Sequence, residues 1–198
     1  MNLHNVHFAV AYGTAKQLPA SNGPEIVFSG KSNVGKSSLI NKFFNRRALA
    51  RVSAVPGKTT TVNFFEADEV RFVDLPGYGY AKRSKAEILR WSELMEGYFA
   101  GEREIRLLVQ LLDMRHKPTA DDRTMLRFLI ERQIPFAVAL TKCDKLKKTE
   151  RETMRAFFRD DADLQHAVAV LETSAETGEG IEAMRALVAE ALAAQPAE

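Results

Sequence analysis

A single cysteine, Cys143, stands in a chain of 198 residues, so no internal disulfide can form and a reducing compartment suits the protein. Long apolar runs are missing too: no stretch approaches the roughly 20 residues of a membrane-spanning helix. Residues 1–20 lack the basic-then-apolar layout of a secretory leader, and a cytoplasmic protein with no membrane partner is expected. Charge of one sign is also scarce. The 28 Lys and Arg nearly balance 26 Asp and Glu, for a net charge of +2, which by itself demands no nucleic-acid partner although local basic patches can bind one. His4, His7 and His166 show no metal-ligand spacing. There is no internal repeat and no low-complexity tract. With 45% hydrophobic and 27% charged residues, the chain has the composition of one ordinary globular domain with a full core.

What is there is an alternation. Short apolar runs at 26–29, 62–66, 70–73, 105–112, 136–140 and 168–171 read as strands, several of them apolar at nearly every position, as strands buried on both faces are. Between them, 36–44, 85–100, 120–132, 149–159 and 180–193 read as amphipathic helices, and a stripe of Leu89, Trp91, Leu94, Met95 and Tyr98 reads as core. The close pair 62–66 and 70–73 reads as an antiparallel hairpin turning at Ala67-Asp68-Glu69. An α/β fold follows, three-layered, with a mostly parallel six-stranded sheet, one antiparallel strand and helices on both faces. Residues 1–23 read as a loose N-terminal extension, 24–193 as the domain, and 194–198 as a frayed tail, with fraying setting in after Ala189. Ligands of such folds sit at the carboxyl ends of the strands.

The stretch GKSNVGKS, residues 30–37, follows the first strand and opens the first helix. It fits G-x-x-x-x-G-K-[ST], the P-loop of phosphate-binding NTPases. Gly30 and Gly35 let the backbone wrap, so that N–H groups of Lys31, Ser32, Asn33 and Val34 point inward at phosphate oxygens. The helix start adds its positive end. Lys36 is expected to reach the β- and γ-phosphates, and the Ser37 hydroxyl to ligate Mg²⁺. A second loop, DLPG (Asp74, Leu75, Pro76, Gly77), ends the strand after the hairpin, where Asp74 can hold the ion through a water and the Gly77 N–H can sense the γ-phosphate. Taken alone D-x-P-G is a common turn; its position decides for function.

The base is read further on. In TKCD (Thr141, Lys142, Cys143, Asp144), the Asp144 carboxylate can accept from guanine N1–H and the exocyclic amine, a donor pair adenine lacks. The Lys142 stem can lie over the base, and in TSA (Thr173, Ser174, Ala175) the Ala175 N–H can donate to guanine O6. GTP is preferred to ATP. Cys143 reads as a packing residue, with no base or second thiol to activate it.

The order GKSNVGKS, PGKTTT, DLPG, TKCD, TSA resembles the translation-factor-related (TrmE-Era-EngA-EngB-septin-like) GTPases. The runs RVSAVPGKTTTVNFF…VDLPGYGYAK and DMRHKPTADDRTMLRFL are similar to the EngB (YihA/YsxC) family of bacterial GTP-binding proteins, and the likeness covers about residues 24–193. The resemblance implies a switch with slow GTP hydrolysis in large (50S) ribosomal subunit assembly, needed for normal cell division and septation, with rRNA and ribosomal proteins as partners of a monomer. A GTP-dependent switch acting directly on division-septum proteins is the alternative. Chemistry alone does not choose among Thr59, Thr60 and Thr61 for the switch I Mg²⁺ ligand; the resemblance puts it at Thr59, within Gly57, Lys58, Thr59, Thr60 and Thr61. The expected catalytic set is then Lys36, Thr59 and Gly77, and the metal set Ser37, Thr59 and Asp74. Asn33 matches the P-loop Asn of relatives that use K⁺, although a turn-stabilising Asn explains it as well.

Two departures from the widest GTPase pattern stand out. Thr141 replaces the usual Asn, which EngB-like proteins share; it removes an amide contact and implies modest affinity. Tyr78 stands where many GTPases carry the Gln that orients the attacking water, which implies slow intrinsic hydrolysis raised by a partner or a cation. Tyr78 and Tyr80 can stack on RNA bases or pack on the domain. Arg46, Arg47, Arg51, Lys82, Arg83, Lys85, Lys142, Lys145, Lys147 and Lys148 can be solvated loop charges or phosphate contacts. Arg115 and His116, in the loop after the 105–112 strand, read as loop structure.

Overall fold

Among the described residues, seven strands build one sheet in the order β1-β3-β4-β2-β5-β6-β7. The computed structural model describes residues 5–50, 60–79 and 84–194. In chain order the elements are β1 (His7–Tyr12), β2 (Glu25–Gly30), α1 (Lys36–Phe43), β3 (Val62–Ala67), β4 (Val70–Asp74), α2 (Lys85–Ala100), β5 (Ile105–Asp113), α3 (Ala120–Glu131), β6 (Phe136–Thr141), α4 (Lys148–Arg159), β7 (Val170–Glu172) and α5 (Ile181–Ala193). β4, β2, β5, β6 and β7 run parallel, and β3 runs antiparallel to both of its neighbours, β1 and β4.

The sheet has seven strands where the sequence pattern gives six. The extra one, β1, lies in the stretch read as a loose extension, and its register on β3 shifts between Phe8 and Val10. It is an edge strand with mostly exposed side chains, so it carries none of the buried alternation that marks a strand in sequence. The segment after it is tied down as well. The Pro19 carbonyl accepts from Arg103 at 2.8 Å, the Ala20 carbonyl from Arg71 at 3.2 Å, and the Ser21 hydroxyl from the Glu104 N–H at 3.3 Å. At the other terminus, fraying does not set in after Ala189: α5 continues to Ala193, and Ala194 N–H still donates to Glu190 at 3.0 Å.

Burial explains the rest. β2 and β6 are buried at every position, as central parallel strands must be. Alternate side chains feed two cores: Val27 joins α2, α3 and α4 on one face, while Ile26 and Phe28 join α1 and α5 on the other. Within α2, Leu94, Met95 and Tyr98 are buried, but Leu89 is 60% exposed and leaves the expected core stripe, and Ile88 beside it is 51% exposed. α2 and α3 each start with a capping box, Ser84 with Glu87 and Thr119 with Asp122. Among the described residues no helix is long and apolar enough to cross a membrane.

This topology fixes where chemistry can happen. Gly30, Asp74, Asp113, Thr141 and Glu172 are the last residues of five parallel strands, so the loops that follow them meet at one end of the sheet.

Candidate functional site

The first of those loops wraps tightly. Gly30 has no room for a side chain: a Cβ there would sit 2.9 Å from Val34 Cγ1 and 3.1 Å from Leu111 Cβ. Asn33 and Gly35 are left-handed, at φ 66° and 104°, conformations that Gly and Asn tolerate best. Gly35 is the N-cap of α1, so the first turn of that helix, Lys36 and Ser37 included, opens onto the loop. The left-handed turn at Asn33 accounts for its presence on backbone grounds.

Lys36 and Asp74 form a direct ion pair, with side chains only 12% and 8% exposed. Asp74 also accepts from Asn63 Nδ2 at 3.1 Å, and Asn63 Oδ1 accepts from the Thr61 hydroxyl at 3.0 Å. Sequence reading missed Asn63. The signal was the hairpin register, which sets Asn63 opposite Asp74. The Ser37 hydroxyl and the Asp74 carboxylate are hard oxygen donors of the kind Mg²⁺ takes, with phosphate and water oxygens supplying the rest, so these residues fit that ion. Thr60 is buried. Gly57, Lys58 and Thr59 lie outside the described residues, as do Arg51, Tyr80, Lys82 and Arg83.

The DLPG loop packs on the P-loop. A Cβ on Gly77 would lie 3.0 Å from Ser32 Oγ, and the Ser32 N–H donates to the Tyr78 carbonyl at 2.9 Å. Tyr78 is 5% exposed, so it cannot stack on RNA bases; its ring packs into the domain.

At the end of β6, Thr141 does more than lose an amide. Its hydroxyl donates to the Val34 carbonyl at 2.8 Å and lies 3.2 Å from that of Leu112, which tethers the TKCD strand to the P-loop. Lys142, left-handed at φ 61°, extends across the same loop and donates to the Asn33 carbonyl at 2.9 Å and to Asp113 at 3.0 Å. Asp113 also takes a two-pronged contact from Arg115, at 2.9 and 2.8 Å. Burial opposes ionisation of Asp113, but the Arg115 and Lys142 hydrogen bonds outweigh it and hold the carboxyl well below the usual range. Arg115 thereby finds the partner the sequence did not reveal. Cys143 is buried, and burial, with Glu179 nearby, pushes its thiol up to about 11, so it stays protonated and inert at neutral pH.

Asp144 faces the TSA loop. Its carboxyl is held below the ordinary range, chiefly by the Ser174 side chain, with burial opposing and Lys145 assisting. That loop is pinned in turn by Thr173 N–H to Leu140 at 2.8 Å and by Gly180, φ 74°, where a Cβ would collide with the Glu172 carbonyl. The sign of the Asp144 shift gives a pH expectation. A carboxyl lowered from its ordinary value is fully ionised at pH 5 and above. The ratio of GDP to IDP affinity isolates the exocyclic amine and cancels phosphate titration, and it is expected to stay flat from pH 8 to 5. A ratio that falls over that range contradicts the assignment.

A cavity of about 230 Å³ lies beside this arrangement, between P-loop residues 31–34 and the loop after β5, rather than at Asp144 and Ser174. Of the basic residues, Arg46, Arg47, Lys145, Lys147 and Lys148 are exposed, Lys145 pairs with Asp144, and the partly buried Lys142 pairs with Asp113.

Residues 25–142 match the family described as 50S ribosome-binding GTPase. A protein of Syntrophomonas wolfei named "Probable GTP-binding protein EngB" is 45% identical over 182 residues, covering 91% of this chain and 93% of its own. One of the same name from an Exiguobacterium strain is 44% identical over 181 residues, 91% of this chain and 92% of its own. Among solved structures, a probable GTP-binding protein engB superposes with a TM-score of 0.67 at 24% identity, covering 85% of this chain and 98% of that one; at that identity it speaks for the fold alone.

Proposed function

Since the chain belongs to the EngB family of GTP-binding proteins, within the 50S ribosome-binding GTPases, we propose that it binds GTP with Mg²⁺, hydrolyses it slowly to GDP and phosphate, and serves as a switch in large-subunit assembly. The observation that carries this is the meeting of four loops, GKSNVGKS, DLPG, TKCD and TSA, at the carboxyl ends of four of the five parallel strands.

Lys36 turns from Asp74 to the β- and γ-phosphates, and the P-loop N–H groups complete the cradle. Ser37, Asp74 and Thr59 are the residues that would hold Mg²⁺, and the ion would supply neutralisation of phosphate charge. Gly77 N–H meets the γ-phosphate. Asp144 accepts from guanine N1–H and its amine, Ala175 N–H donates to O6, and the Lys142 stem covers the ring. The Tyr78 hydroxyl points into the core, so no side chain at that position orients the attacking water. Slow turnover follows, and a cationic group supplied by a partner raises the rate of other GTPases by about 10³–10⁵-fold.

The exposed Arg46, Arg47, Lys147 and Lys148 support docking on RNA phosphates. The test is co-sedimentation with purified large and small ribosomal subunits, comparing GDP with a non-hydrolysable GTP analogue at two salt concentrations. Binding to the large subunit alone, stronger with the analogue and weakened by salt, is the expected result. No binding in either state contradicts the assembly role and favours a direct partner in the division machinery.

A further inference from the structure

The segment from Leu75 to Tyr78 has more anchors than a freely moving loop would carry. Leu75 is fully buried and its N–H donates to the Phe28 carbonyl of β2 at 3.0 Å. The Pro76 carbonyl accepts from the indole N–H of Trp91 on α2 at 3.1 Å. Gly77 abuts Ser32, and the Tyr78 carbonyl accepts from the Ser32 N–H. The Tyr78 hydroxyl donates to Asp122 of α3 and accepts from Gln110 Nε2 of β5, both at 2.7 Å. Asp122 is itself immobilised, because its other oxygen accepts from the Thr119 N–H at 2.8 Å and the Thr119 hydroxyl at 2.7 Å. Four consecutive residues are thus tied to β2, α2, the P-loop, α3 and β5.

A loop waiting for a ligand to order it would be exposed and sparsely bonded; this one is neither. Of its anchors only the Ser32 N–H is a group the phosphate cradle also calls on; those at Phe28, Trp91, Asp122 and Gln110 leave the nucleotide's contacts untouched. We propose that Tyr78 is a positioning residue: clasped by Asp122 and Gln110, it holds Gly77 beside the P-loop in advance of the γ-phosphate, and so raises affinity for GTP relative to GDP. This rests on the reading of the chain as a guanine-nucleotide switch in which Gly77 contacts the γ-phosphate. GDP lacks the group that Gly77 meets, so an ordered loop gives it nothing. GTP would otherwise bear the cost of ordering the loop at the moment of binding.

The clasp is sensitive to one atom. Gln110 Oε1 is, among the described residues, the buried side-chain polar atom with no partner. Tyr78→Phe would leave Gln110 Nε2 with only a long contact, 3.3 Å, to the Leu111 carbonyl, and would orphan one Asp122 oxygen. In the full chain, Tyr78→Phe is expected to lower affinity for a non-hydrolysable GTP analogue about tenfold while GDP affinity stays within about twofold. An unchanged ratio of the two affinities overturns the proposal. Amide exchange of the unmodified protein with GDP bound gives a second readout that does not depend on the variant. Slow exchange at the amides of Leu75, Gly77 and Tyr78 is expected; exchange at the rate of an unfolded peptide overturns the proposal. Failure of the reading beneath it looks different, as absence of guanine-nucleotide binding by the unmodified protein, and overturns both.

Discussion

Asp144→Asn is expected to weaken GDP binding by about two orders of magnitude or more, since two hydrogen bonds to a charged acceptor are worth about 1.5–3 kcal/mol each. It is also expected to move preference toward xanthosine diphosphate. The argument is one of donors and acceptors. Guanine presents N1–H and an amine, both donors, and an ionised carboxylate accepts from both. An amide has one acceptor; its NH₂ then faces the guanine amine, donor against donor. Xanthine carries a carbonyl where guanine carries the amine, and that carbonyl accepts from the new NH₂ while the amide oxygen takes N1–H. The fold is not at stake, because the Asp144–Lys145 pair is exposed on the lysine side and worth little. Calorimetric titration of the variant with GDP and with xanthosine diphosphate measures both changes. Guanine affinity equal to that of the unmodified protein would mean the base is read elsewhere.

Why was so much of this site legible, and why not all of it? Phosphate wrapping demands glycine at fixed spacing, and the close contacts of Gly30 with Val34 and Leu111 show that demand as steric fact. Buried parallel strands announce themselves as apolar runs, and β2 and β6 are buried throughout. What escaped was non-local or exposed. β1 faces solvent on an edge and carries no core pattern. Asn63 matters only through its register with Asp74 across the hairpin. Thr141 looked like a lost contact because its acceptor, the Val34 carbonyl, lies 107 residues away in the chain. Tyr78 had two open readings, stacking or packing, and what decides between them, Asp122 and Gln110, belongs to distant elements. Leu89 had the right helical spacing for the core, yet it lies near the start of α2, where residues 84–90 are all exposed. Local chemistry is written in local sequence; coupling between loops is written in the fold.

The strongest case of such coupling lies at the other end of the sheet, where Arg103→Met is expected to cost about 3–5 kcal/mol of stability, as breaking a buried ion pair does. Glu25, the first residue of β2, is completely buried. It is matched by the Arg103 guanidinium at 2.9 Å and by the Tyr98 hydroxyl at 2.6 Å. Burial, and then the Glu25 charge, push the Tyr98 phenol well above its ordinary value, so it stays protonated and donates. Arg103 also lies 4.2 Å over the Tyr98 ring and donates to the Pro19 carbonyl, which clamps the segment between β1 and β2. Methionine keeps much of the packing but leaves the carboxylate without its cation, and the Pro19 carbonyl without its donor. In a domain of this size the loss corresponds to a fall in Tm of about 10 °C, readable by thermal melting. Glu25→Gln combined with Arg103→Met removes the stranded charge and is expected to recover at least part of the loss, which separates the ion pair from the packing. Discrimination of GDP from ADP is expected to survive, because β2 is six residues long and sets this cluster roughly 15–20 Å from the P-loop. A variant that melts with the unmodified protein would mean that the Arg103 cation contributes nothing to holding Glu25 in the fold.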